Sequence, residues 1–143
     1  MRSLIPPNVP TSVVVIFALL ALGFGGAATS LSVQRWQTKR AAETDARELT
    51  DGDVQRGKDA FARHGCGACH AIKAHDGADG QVGPPLDGIA VRAFLAGDQP
   101  NDPARMMAWI QHPQARRPGV GMPEMGLTDA EARDLAAYLY TLR

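Results

Sequence analysis

Cys66-Gly67-Ala68-Cys69-His70 is the stretch on which the reading of this 143-residue chain turns. Its two thiols are three residues apart and His70 follows the second directly, which on a helical turn brings all three to one side. That spacing serves a flat cofactor: each thiol can add to a vinyl group of a porphyrin to form a thioether, and the imidazole is then held against the iron. Two other readings of paired cysteines stand beside it. A zinc site would need further Cys or His at matching spacing, and the chain has no third cysteine while His64, His75 and His112 are scattered singly. A redox dithiol would need a preceding strand and a βαβ pattern, and neither is visible. The pattern is therefore read as the attachment site of one covalent haem c, with His70 as proximal ligand.

Composition agrees. The length gives room for one domain and an appendage. Lys plus Arg equal Asp plus Glu at 15 each, and the basic residues are dispersed, so no nucleic acid partner is expected. Aromatic residues make up only 6% of the chain, thin for a core built of protein alone, and a buried porphyrin would supply the missing apolar bulk. Both cysteines are used by the haem motif, so no disulfide is expected.

Four segments follow in order. Residues 1–12 are a short, proline-bearing N-terminal segment ending in the candidate N-caps Thr11 and Ser12. Residues 13–33 carry no charge over 21 positions, which as a helix reaches about 32 Å, enough for a hydrocarbon core of about 30 Å. This reads as a single transmembrane anchor, with a cleaved secretory signal as the alternative because Gly25 to Ser30 are small. Residues 34–50 are a polar connector, with Trp36 at the membrane interface and Glu43 and Arg47 as a favourable i, i+4 pair. Residues 51–143 form the soluble domain.

That domain reads as all-α. Val54, Gly57, Lys58 and Phe61 give a first helix leading to the haem motif, Ile89 to Leu95 a short one, and Pro103 to His112 another carrying Met106, Met107 and Trp109. Thr128 and Glu131 form a capping box for a last helix with Leu135, Ala136, Leu139 and Leu142 on its apolar stripe. Between these, Pro113, Pro118, Gly119, Gly121 and Pro123 forbid regular structure around Met122.

Iron held by one His needs a sixth ligand or an open site. Met122, stiffened by the following Pro123, is the expected distal ligand, with Met125 as the competing methionine and as a candidate staple for the last helix. A neutral thioether favours ferrous iron and raises the reduction potential. Two filled axial positions make an electron carrier and not an enzyme. The opposing reading is an open-site haem enzyme or gas sensor, whose polar distal group would be His64 or His112.

From about residue 51 to the end, the chain resembles class I cytochrome c in Gly57-Lys-Asp-Ala-Phe61, CxxCH, Gly83-Pro84-Pro85-Leu86, Met122-Pro123 and Ala137-Tyr138-Leu139. Arg92-Ala-Phe-Leu-Ala-Gly97, Trp109-Ile110 and Pro118-Gly119-Val-Gly-Met122-Pro123 are similar to cytochrome c domains associated with bacterial haem-copper terminal oxidases. The resemblance implies one domain wrapped around one haem, with Cys66 and Cys69 as thioether positions and His70 and Met122 as iron ligands. It implies that the Pro84 carbonyl accepts the other ring proton of His70, that Arg92 and Trp109 approach the propionates, and that Gly57 and Phe61 cross Tyr138 and Leu139. It further implies attachment outside the bacterial cytoplasmic membrane, on the periplasmic side, although Arg35, Lys39 and Arg40 after the span point the other way by the positive-inside rule. The implied partners are membrane-bound redox complexes: a quinol:cytochrome c oxidoreductase as donor and a haem-copper oxidase as acceptor, the chain being a carrier between them or a bound subunit of one, with the electron-accepting subunit of a periplasmic dehydrogenase as the alternative.

Overall fold

The computed structural model describes residues 10–143, and the chain divides between Thr38 and Lys39 into two compact units. Residues 1–9 of the expected N-terminal segment lie outside the described residues. The first helix, α1, runs Thr11–Thr50. Its early part belongs to the first unit, where Phe17, Leu22 and Phe24 are exposed. Among the described residues it is the one helix long and apolar enough to cross a membrane. A run of bare apolar side chains of this length suits a hydrocarbon solvent better than water.

The connector expected at 34–50 is helical to its end. The compact second unit begins at Lys39, because Ala42, Ala46 and Thr50 are buried in it. Small residues repeating every fourth position make a helix face that can approach its neighbours closely, and the charged residues on the other faces disguise it in the sequence. The expected Glu43–Arg47 pair gives way to two others: Lys39 stands 3.9 Å from Glu43 and Arg47 stands 3.2 Å from Asp53. Asp51, at a φ of 54°, ends the helix in the left-handed conformation.

Within the second unit, α2 (Val54–Arg63) and α5 (Asp129–Tyr140) cross and form the frame. Both starts are written locally. The Asp53 carboxylate accepts from the Gln55 and Arg56 amides, and Thr128 and Glu131 cap reciprocally. At the crossing a Cβ on Gly57 would lie 1.8 Å from the Asp134 carbonyl oxygen and 2.9 Å from the Tyr138 Cβ, so only glycine allows the two backbones to meet. Asp134, 7% exposed, locks the crossing by accepting from the Asp53 amide at 2.7 Å and from Arg56 Nε and Nη2 at 2.7 and 2.9 Å. Burial pushes the Asp134 carboxyl up, and the bonds from Arg56 and the Asp53 amide outweigh it, leaving the group below its usual range. Phe61 meets Tyr138 edge-on at 5.8 Å between ring centroids.

Helix α3 (Pro103–Gln111), capped by Asp102, packs on α5 and buries Met106 and Ile110. A four-residue helix, α4 (Pro113–Arg116), follows, and its Pro113 is fully buried. Two details depart from the all-helical expectation. The helix expected over Ile89 to Leu95 is a single 3-10 turn, Ile89–Val91, because Asn101 Nδ2 takes the Ile89 and Arg92 carbonyls at 2.8 and 2.9 Å and Arg92 is extended. Phe94–Leu95 (β1) then pairs antiparallel with Gln99–Pro100 (β2), with Leu95 opposite Gln99. Ala96 and Gly97, at φ of 50° and 99°, reverse the chain between them.

Candidate functional site

The stretch Cys66–Ala68 is one 3-10 turn, entered through Gly65 at a φ of 67°. The His70 amide closes on the Cys66 carbonyl at 3.0 Å, which fixes the two thiols and the imidazole as a unit. Burial pushes the Cys66 thiol up. The His70 ring is held from two sides. Its Nδ1 donates to the Pro84 carbonyl oxygen at 2.8 Å, which leaves Nε2 as the free lone pair for a metal. On its face lies Gly83, where a Cβ would come within 2.4 Å of Cε1, 2.6 Å of Nδ1 and 2.8 Å of Nε2. The Gly83 amide in turn donates to the Cys69 carbonyl at 2.8 Å.

All of this borders a cavity of about 640 Å³. Cys66, Cys69, His70, Pro84, Arg92, Trp109 and Met122 all line it, with an apolar wall that includes Phe61, Ile89, Leu95, Met106, Ile110, Leu135 and Leu139. The donor chemistry fits a haem: two thiols beside a large apolar cavity, an imidazole with one nitrogen already committed, and a thioether from a separate loop. Met125 lines the cavity as well, so the competing methionine of the sequence stays within reach. Both methionines are half-buried.

The other expected residues find specific partners. The Arg92 guanidinium donates to the Pro85 carbonyl and, at 3.0 Å, to the Asp87 carbonyl, stitching down the Gly83–Gly88 loop while bordering the cavity. Trp109 is half-buried on α3. His64 borders the cavity but its Nε2 lies 3.1 Å from Glu131 Oε1, and His112 Nδ1 lies 3.2 Å from Glu124 Oε2. Each histidine proposed for a polar distal pocket is thus engaged by a carboxylate.

Sequence reasoning missed three features. The Tyr138 hydroxyl and His75 Nδ1 share a hydrogen bond of 2.7 Å, while the Phe61 ring lies against the His75 ring, tilted by 53° with centroids 4.8 Å apart. Burial, then the Lys58 charge, depresses the imidazole, and burial with the Asp87 charge pushes the Tyr138 phenol up to about 12. The second is Gly83, a lone glycine in a proline loop whose role is visible only against the His70 ring. The third is Gln114, which sits among the loops of the Met122 strap. No helix or strand period marks these contacts, since each joins residues five or more positions apart through an irregular segment.

Residues 54–143 match the family model described as Cytochrome c. Among curated proteins, "Cytochrome c oxidase subunit 2" of Alkalihalophilus pseudofirmus is 32% identical over 111 residues, covering 76% of this chain and 30% of that protein. The chain therefore spans less than a third of that relative's length. No solved structure matches significantly.

Proposed function

Because this chain belongs to the cytochrome c family, and so binds haem c covalently and transfers electrons, we propose that it is a membrane-anchored monohaem carrier that delivers electrons to a haem-copper oxidase. The observation that carries this reading is that His70 and Met122, from segments 52 positions apart, border one apolar cavity together with both thiols. In the proposed arrangement Cys66 and Cys69 would hold the haem through thioethers, His70 and Met122 would be its iron ligands, and the Pro84 carbonyl orients the imidazole. Arg92 and Trp109, which line the same cavity, would meet the haem propionates. When bound, haem supplies a one-electron iron couple. The chain keeps that couple dry, fixes both ligands against reorganisation and leaves no position for a substrate.

The anchor is the apolar part of α1, residues 13–33. The haem domain comprises the family-matched residues together with the helical residues 39–50 packed in the same unit. Its placement on the periplasmic face follows from where c-type haems are attached. The oxidase is proposed from the likeness to the oxidase subunit, with a quinol:cytochrome c oxidoreductase as electron source. From position 51 on, acidic residues slightly outnumber basic ones, so confinement to the membrane plane, more than charge steering, brings the partners together.

Mild detergent extraction of the tagged full-length protein tests this. A haem-copper oxidase is expected to co-purify and to oxidise the reduced protein rapidly. Co-purification of a dehydrogenase instead, or oxidation no faster than without the oxidase, would overturn the assignment of the partner.

A further inference from the structure

We propose that Gln114 is the positioning residue of the Met122 strap, holding residues 119–122 in the conformation that presents the Met122 sulfur to the iron. The inference rests on Met122 being the distal ligand. The strap itself has little to hold it: Pro118, Gly119, Gly121 and Pro123 exclude helix and strand, and Val120 N–H to the Arg117 carbonyl at 3.2 Å is a bond of the turn leading into it. Gln114 supplies what the strap lacks. Its Nε2 donates to the Val120 carbonyl at 2.6 Å and to the Met122 carbonyl at 2.7 Å, and its Oε1 accepts from the Gly119 amide at 3.1 Å.

Both amide hydrogens and the oxygen are used, and the set admits only one orientation, since the reverse would place the oxygen against two carbonyls. The base of this clamp is firm. Gln114 follows the fully buried Pro113 on α4, and its own amide donates to Glu124 Oε1 at 3.1 Å, on the far side of Met122. A strap tied at 119, 120, 122 and 124 to one residue resists the movement that would withdraw the sulfur from iron. Gln114 acts through Met122 and touches no reacting atom.

The test uses the full-length ferric holoprotein and imidazole as a competing iron ligand. Gln114→Ala and the isosteric Gln114→Glu, which loses both donors, are expected to keep the far-red sulfur-to-iron band at neutral pH. Imidazole should displace Met122 from both at concentrations lower by about tenfold or more, as the loss of two or three hydrogen bonds implies. Asn101→Ala is the control, because Asn101 ties the 89–92 turn by the same chemistry. It should lower the denaturation midpoint while leaving imidazole affinity within about twofold. Unchanged imidazole affinity in both Gln114 variants, or an equal change in Asn101→Ala, overturns this inference alone. A wild-type protein without the band, or Met122→Ala retaining it, overturns the ligand assignment beneath it.

Discussion

Gly83→Ala places a methyl group on the face of the His70 imidazole. The added Cβ would sit 2.4 to 2.8 Å from three ring atoms of His70, whereas comfortable contact begins at about 3.5 Å, leaving a deficit of roughly 1 Å. Neither partner can retreat freely. His70 is held by its amide to Cys66 and by Nδ1 to Pro84, and Gly83 is held by its amide to Cys69. Relief must break one of these bonds or shift the 82–85 loop. Overpacking costs about 1–3 kcal/mol and a lost hydrogen bond about 0.5–1.5 kcal/mol, so the variant should lose about 2–4 kcal/mol. With a guanidinium slope of about 2–6 kcal/mol/M, a loss near the middle of that range lowers the unfolding midpoint by about 0.5–1.5 M. The assay is guanidinium unfolding of the holoprotein, followed by the haem absorption band that reports the axial ligands. A midpoint within about 0.2 M of wild type, with an unaltered spectrum, would refute the close packing of Gly83 on His70.

Other consequences are sharper still at the helix crossing. Gly57→Ala should be worse than Gly83→Ala, because its Cβ would lie 1.8 Å from a backbone oxygen of α5, and about 3 kcal/mol or more is expected; haem-stained yield and thermal melting check it. Tyr138→Phe, which removes the hydroxyl bonded to His75, should cost about 0.5–1.5 kcal/mol by chemical denaturation, with the iron ligands unchanged. Glu131 is held at about 2, below its ordinary 4.5, first by His64 and then by the Thr128 amide and hydroxyl. A carboxyl depressed on folding contributes its full stability above its unfolded value and loses it as pH falls through the folded one. The stability gap between wild type and Glu131→Gln should therefore be constant above about pH 4.5 and shrink toward pH 2; urea midpoints across that range measure it, and a pH-independent gap would contradict the proton linkage.

The sequence showed most clearly what is governed by neighbours along the chain. The Thr128–Glu131 capping box, the helix leading to the haem motif, the Met106–Ile110 helix and the irregular strap around Met122 are local matters of caps, period and proline, and each stands where it was read. The CxxCH unit is equally local, since one turn contains it. What escaped depends on distance in sequence. The charged surface of residues 39–50 conceals a face of Ala42, Ala46 and Thr50 that is evident only once the rest of the unit is packed on it. The β1–β2 ribbon is too short for an alternating pattern, and the Asn101 side chain, ten residues beyond the 3-10 turn, takes the carbonyls that a longer helix at 89–95 would have used. Gln114 and His75 carry no signature, and Gly83, though part of the Gly83-Pro84-Pro85-Leu86 motif, does not disclose its contact, because a strap, a phenol or an imidazole face becomes their partner only in three dimensions.

The central claim is that the iron site is closed by His70 and Met122, and carbon monoxide binding to the reduced full-length protein tests it most directly. Wild type and Met125→Ala should bind carbon monoxide negligibly at neutral pH, while Met122→Ala should bind it rapidly and completely. Free binding by wild type, or opening of the site by Met125→Ala in place of Met122→Ala, would contradict the account.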